Sequence, residues 1–141
     1  MSGAPARVPN ALDRFARPVV SAYQLQYDLL SVFGDPKTTG KPFGSDLRAG
    51  KNTVVLLTAL KRARGRDHRV LKAAVGNSRA TVTELKQAVE VIERSGARAA
   101  VEGRIDELVG SALAALRAGR LPPNGIELLE GAARVLTLRR N

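Results

Sequence analysis

Apolar positions recur at helical spacing along nearly the whole chain. Ala22, Leu25, Leu29 and Val32 fall three or four residues apart and predict a helix over residues 10–33. Pro18 lies inside that span, where it should kink the helix or mark the start of a second one. Residues 1–10, with Gly3, Pro5 and Pro9, read as a loose arm. Residues 34–50 read as loop, because Gly34, Pro36, Gly40, Pro42, Gly44 and Gly50 interrupt any period. The next helix covers residues 52–63. Val54, Val55, Leu56, Leu57 and Leu60 make it apolar on much of its surface, which predicts a central position.

Residues 61–69 read as a basic connection or frayed helix end, followed by a short helix to Val75 and a break at Gly76-Asn77-Ser78. Thr81-Val82-Thr83-Glu84 has the pattern of a capping box, opening a helix to Ser95 with Leu85, Val89 and Ile92 on one face. Gly96 is placed to end it. Val101, Ile105, Leu108, Ala112 and Leu116 form one stripe of a helix over 97–118, which Gly119 closes. Pro122-Pro123 forces a turn, Asn124-Gly125-Ile126-Glu127 resembles a second capping box, and the last helix runs to Leu138. No strand pattern and no fixed repeat occurs, so the expected fold class is all-α.

Composition narrows the chemistry. With three Phe, two Tyr and no Trp in 141 residues, Ala, Leu and Val must fill the core. Cysteine is absent, which excludes disulfides and thiolate metal sites and fits a cytoplasmic protein. Apolar runs such as Val54–Leu57 fall far short of the roughly 18 to 20 residues that span a membrane, and MSGAPARVPN lacks the apolar stretch of a signal peptide. The net charge of +10 is uneven: residues 37–79 carry eleven Lys or Arg against Asp46 and Asp67. Such a field attracts polyanions or small phosphates, although a solvated basic helix surface would look the same.

Several familiar sites are missing. The glycines of residues 34–50 spell neither G-x-x-x-x-G-K-[ST] nor G-x-G-x-x-G. His68, the single histidine, sits in a basic segment without a neighbouring partner and reads as a surface residue. The basic run Lys61, Arg62, Arg64, Arg66, Arg69 and Lys72 has no interleaved aromatic residue, so nucleic-acid binding is disfavoured. What remains is a stripe of Gln24, Asp28, Ser31 and Asp35 at spacings of four, three and four. On a helix, Asp28 and Asp35 would share a hard cation such as Mg²⁺; a polar solvent-facing stripe is the alternative. Lys37, Lys41 and Lys51 follow as point charges suited to phosphate oxygens, or as ordinary surface lysines.

Residues 23–53, Tyr-Gln-Leu-Gln-Tyr-Asp-Leu-Leu-Ser-Val-Phe-Gly-Asp-Pro and then Thr-Gly-Lys-Pro-Phe-Gly-Ser-Asp-Leu-Arg-Ala-Gly-Lys-Asn-Thr, resemble the second aspartate-rich motif of trans-isoprenyl diphosphate synthases, the polyprenyl synthetases. Softer similarity covers residues 3–12 and 96–115. The resemblance implies the C-terminal helices of the isoprenoid synthase fold, over a partial domain spanning residues 1–141. It also implies Mg²⁺ as cofactor and an allylic diphosphate that condenses with isopentenyl diphosphate.

Carried onto this chain, Asp28 is the metal-side carboxylate with Gln24 as its polar neighbour, Lys41 and Lys51 bind the allylic diphosphate, and Asp46 supports the loop. Two positions depart from the family pattern. Tyr27 stands where the family has an aspartate that ligates Mg²⁺, and a phenol is a poor ligand for that ion. Ser31 replaces the last aspartate of the strict motif. No Asp-Asp pair occurs in the chain, so the first aspartate-rich motif has no counterpart. The expectation is a truncated protein, inactive alone. It would be a remnant or late-started product, or a non-catalytic subunit of a full-length synthase, or else a homo-oligomer. Poor solubility should follow from bare apolar faces on the helix holding Val54–Leu60.

Overall fold

In the computed structural model, which describes residues 7–137, the chain forms eight α-helices and no strand among those residues. They are α1 (Arg7–Phe33), α2 (Pro36–Thr39), α3 (Ser45–Arg48), α4 (Val54–Arg62), α5 (Gly65–Ala74), α6 (Val82–Arg94), α7 (Ala97–Ala118) and α8 (Pro123–Thr137). The all-α expectation holds. No helix of the described residues is long and apolar enough to cross a membrane.

Two compact units divide the chain, one of residues 27–102 and one of the described residues on either side. In the flanking unit, Phe15 and Val19 of α1 pack with Ala112 and Leu116 of α7 and Ala133 of α8. Of the two readings of Pro18, the start of a second helix does not hold: α1 runs as one helix from Arg7 to Phe33 with Pro18 inside it. A proline in a helix interior costs about 3 kcal/mol. Burying Phe15 and Val19 on either side of it offsets that cost at about 1.5–3 kcal/mol per fully buried side chain. The arm is also shorter than expected, since α1 begins at Arg7; residues 1–6 and Leu138 lie outside the described residues.

In the unit of residues 27–102, α6 packs on both α4 and α5. Leu85, Ala88, Val91 and Ile92 of α6 are fully buried, as are Val55 and Ala59 of α4 and Leu71 and Ala74 of α5. The capping box is present: Thr81 Oγ1 accepts the Glu84 N–H at 3.2 Å, and the Glu84 carboxylate accepts the Thr81 N–H at 2.7 Å. The expected loop over 34–50 instead contains two single-turn helices. Asp35 caps α2, accepting the Lys37 N–H at 2.9 Å, and Pro36 supplies the preset first residue. The basic connection proves to be largely helix as well, because α5 begins at Gly65 and carries a half-buried His68.

The second capping box does not form. Helix α8 opens at Pro123, and Asn124 lies inside its first turn. The central helix is also less enclosed than its composition suggests. Val55, Leu56 and Ala59 are buried, while Val54 and Leu57 remain 48% and 42% exposed.

Candidate functional site

The loop between α1 and α4 is held in place by backbone conformation, a buried leucine and one arginine. Gly44, at φ 69°, occupies the left-handed region just before α3, and a Cβ there would meet the two Leu85 methyl groups at 2.8 and 3.1 Å. A side chain at that position would be strained and would collide with the core. Leu47 of α3 is buried, and its carbonyl accepts the Gly76 N–H at 2.9 Å. The Arg48 guanidinium donates twice to the Ala80 carbonyl, at 2.9 and 3.1 Å. Thr53 then caps α4, its hydroxyl accepting the Leu56 N–H at 3.3 Å.

On this support, Asp46 becomes the hub. Its carboxylate is 10% exposed and receives the Lys51 ammonium at 3.0 Å and the Lys41 ammonium at 3.8 Å. Burial works against its charge, but Lys51, Ser31 and Lys41 together outweigh burial and hold the carboxyl below the ordinary carboxylate range. The Ser31 hydroxyl also donates to the Asp28 carbonyl at 2.8 Å. Lys41 has a further neighbour: its ammonium stands 4.9 Å from the centre of the Tyr27 ring. A hydrogen bond with the Tyr27 hydroxyl, opposed by burial and aided by Asp46, raises the Lys41 pKa above the usual lysine value.

The lysine side chains are 35% and 55% exposed, whereas their carboxylate partner is buried. An anion arriving from solvent therefore meets two ammonium groups first, with the negative charge beneath them. Two convergent ammonium groups suit a multiply charged phosphate ester.

The carboxylates are not convergent in the same way. Asp28 is half-buried on α1; burial raises its pKa, the Val54 N–H at the start of α4 and Lys51 lower it, and Asp46 repels its charge. Asp35 is exposed and occupied as the cap of α2. Gln24, one turn before Asp28 on α1, is exposed. The structure thus brings Tyr27, Asp28, Ser31, Lys41, Asp46 and Lys51 together, while Asp35 is engaged as the cap of α2. The Tyr27–Lys41 contact leaves no local signal in the sequence, because it joins α1 to the loop that follows it. The capping role of Thr53 was readable, as a threonine directly before an apolar run.

The donor set does not suit a resident magnesium site. Mg²⁺ needs near-octahedral oxygen donors. Among the described residues no group of three His, Cys, Asp or Glu side chains could hold a metal. Asp46 is committed to two lysines, which leaves Asp28 as the one carboxylate of the motif beside them.

The sequence profile of the polyprenyl synthetase family matches residues 1–92. The chain belongs to that family. Among curated polyprenyl synthetase relatives, it is 36% identical over 86 residues to a short chain isoprenyl diphosphate synthase of Methanocaldococcus jannaschii, covering 61% of this chain and 26% of that protein. It is 36% identical over 101 residues to a (2E,6E)-farnesyl diphosphate synthase of Mycobacterium bovis, covering 70% and 28%. Among solved polyprenyl synthetase structures, a geranylgeranyl pyrophosphate synthase of Corynebacterium glutamicum, complexed with isoprenyl diphosphate and magnesium, superposes with a TM-score of 0.90 at 37% identity, over 98% of this chain and 39% of that one. The chain thus spans between a quarter and two fifths of the length of these relatives.

Proposed function

We propose that this chain carries the diphosphate-binding half of a prenyl-transfer site, in a polyprenyl diphosphate synthase-like protein of isoprenoid biosynthesis. The observation that carries this reading is the convergence of Lys41 and Lys51 on the buried carboxylate of Asp46, in a loop whose shape is fixed by Gly44, Leu47 and Arg48. The ligand would be an allylic diphosphate, the class of substrate that the family condenses with isopentenyl diphosphate. Its diphosphate would take the ammonium groups of Lys41 and Lys51, and Asp46 would keep the two lysines in register. Gln24 would be a further polar contact, and Asp35 would serve the loop as a cap rather than the ligand.

Elongation needs a second wall of carboxylates facing the diphosphate, and these 141 residues hold no Asp-Asp pair to build one. In this reading the residues bind but do not elongate by themselves, and another polypeptide or segment supplies the missing wall. Titration calorimetry with geranyl diphosphate tests the claim. The wild-type chain should bind, and a Lys41→Ala, Lys51→Ala chain of unchanged helical circular dichroism should not. Equal binding by the double variant, or elongated product from the wild-type chain incubated alone with both diphosphates and magnesium, would refute it.

A second reading, a non-catalytic subunit that docks on a full-length synthase, is favoured by the exposure of Val54 and Leu57 next to the loop and of Leu128 and Val135 on α8. Co-elution with a full-length synthase in size-exclusion chromatography, lost on Val54→Ser, Leu57→Ser substitution, would support it. Separate elution of the two wild-type proteins would exclude it.

A further inference from the structure

The geometry points to a diphosphate site that works without a divalent metal, in which Tyr27 takes the part of a positioning residue by holding the Lys41 ammonium toward the ligand. The inference rests on the diphosphate reading above and concerns how the charge of that ligand is met. A diphosphate ester brings several negative charges, and a site must answer them with metal ions, with cationic side chains, or with both.

The oxygen donors for a metal are spoken for here. Both oxygens of Asp46 face lysine ammonium groups, one to Lys51 at 3.0 Å and one to Lys41 at 3.8 Å. Asp35 accepts the Lys37 N–H at 2.9 Å as the cap of α2. Asp28 alone remains, half-buried and facing the start of α4. Asp28 could give Mg²⁺ at most one charged ligand, and a tyrosine side chain is a poor second; the other positions around the ion would have to come from the diphosphate and water.

The cationic answer, by contrast, is built. The Lys41 ammonium is fixed from two sides, by the Asp46 carboxylate and by the Tyr27 ring 4.9 Å away. An ammonium beside an aromatic face gains electrostatic attraction without losing its charge. The ring thus orients the ammonium without adding a second negative charge to that of Asp46, and less side-chain entropy remains to be lost when an anion binds. Tyr27 is 44% exposed, which places this clamp at the solvent side of the loop, where a ligand would enter. An aspartate at the same position would act in the opposite sense: it would compete with the ligand for Lys41 and offer a carboxylate through which a ligand-bound Mg²⁺ could be held. The identity of residue 27 thus selects between metal-dependent and metal-independent binding.

The test is calorimetric titration of the full chain with inorganic pyrophosphate and with geranyl diphosphate, each in EDTA and in excess magnesium. The wild-type chain should bind at least as tightly in EDTA as in magnesium, because Mg²⁺ draws charge from the ligand and the site offers it little in return. Tyr27→Asp should reverse the order, losing about tenfold in EDTA (a charged contact at ~1.4 kcal/mol) and recovering with magnesium. Tyr27→Phe, which keeps the ring, should keep the wild-type order. Wild-type binding that requires magnesium would overturn the inference while leaving the diphosphate reading intact. An unchanged metal response in Tyr27→Asp would overturn the role given to Tyr27. Absence of binding in both media by a folded wild-type chain would overturn the diphosphate reading and this inference with it.

Discussion

Two stretches of this molecule are rich in positive charge, and they are organised differently. Lys41 and Lys51 of the loop between α1 and α4 point their ammonium groups at one buried carboxylate. The basic run of residues 61–72 has no such focus. Arg62 donates to the carbonyls of Ser95 and Gly96, and Arg64 to those of Lys61 and Ala63, so both guanidinium groups tie down backbone. Lys61, Arg66, Arg69 and Lys72 are spread over exposed helix surface. In sequence the second stretch is the denser in charge. The contrast teaches that convergence, rather than density, marks a ligand site: a buried carboxylate that gathers cations fixes their geometry, whereas exposed cations on a helix answer mainly to solvent and salt.

The two stretches should differ most in ligand binding. Replacing Lys41 and Lys51 together by alanine should cost geranyl diphosphate about a hundredfold in affinity, at ~1.4 kcal/mol or more per charged contact. Replacing Arg66 and Arg69 together should cost less than about twofold at physiological salt. Calorimetric titration of the two double variants decides the matter, and equal losses would erase the distinction.

Stability comes next. Asp46→Ala leaves two ammonium groups without their carboxylate and should lower unfolding free energy by about 2 kcal/mol. Asp67→Ala, which removes the two-oxygen partner of Arg94 nearer the surface, should move the denaturant midpoint clearly less than Asp46→Ala does. Urea unfolding of both variants measures this, and a loss at Asp67 as large as that at Asp46 would contradict it.

The pH dependence sharpens the same point with a sign. The Asp46 pKa is lowered in the folded chain, so its contribution is fully present above the unfolded carboxylate value near ~3.9 and is lost as pH falls through the folded value. The Asp28 pKa is raised, so its charged form costs stability, and that cost disappears as pH falls through its folded value. At neutral pH, Asp46→Asn should therefore lower the melting temperature and Asp28→Asn should hold or raise it. The gap between the two should begin to narrow below about pH 4 and close only as pH falls through the lowered Asp46 value. A smaller effect accompanies it: in EDTA, Asp28→Asn should strengthen pyrophosphate binding about twofold by removing a like charge beside the ligand.

Much of this architecture was legible in the sequence, and for local reasons. The Thr81–Glu84 capping box, the turn at Gly96 and the stripe from Val101 to Leu116 depend on neighbours within one or two helical turns, and all appear as expected. The misreadings arise where distant packing overrides local preference. Pro18 sits inside an unbroken α1 because Phe15 and Val19 beside it are buried against α7 and α8. Gly119 lies at the end of α7 as expected, but the left-handed turn falls on Arg120 at φ 53°; the close approach of Ala11 is what favours a glycine there. In the site, the lysines and Asp46 were readable from their motif. The clamp of Tyr27 on Lys41 was not, because it joins α1 to a loop whose path depends on Gly44 resting against Leu85.

The most direct test of the central claim, that the loop lysines and not the basic helix surface receive a diphosphate, is a map of backbone amide chemical shifts during titration with geranyl diphosphate. The largest changes should fall on Tyr27, Lys41, Asp46 and Lys51, with residues 61–72 nearly still. Changes centred on Arg66, Arg69 and Lys72, with the loop unmoved, would contradict that claim.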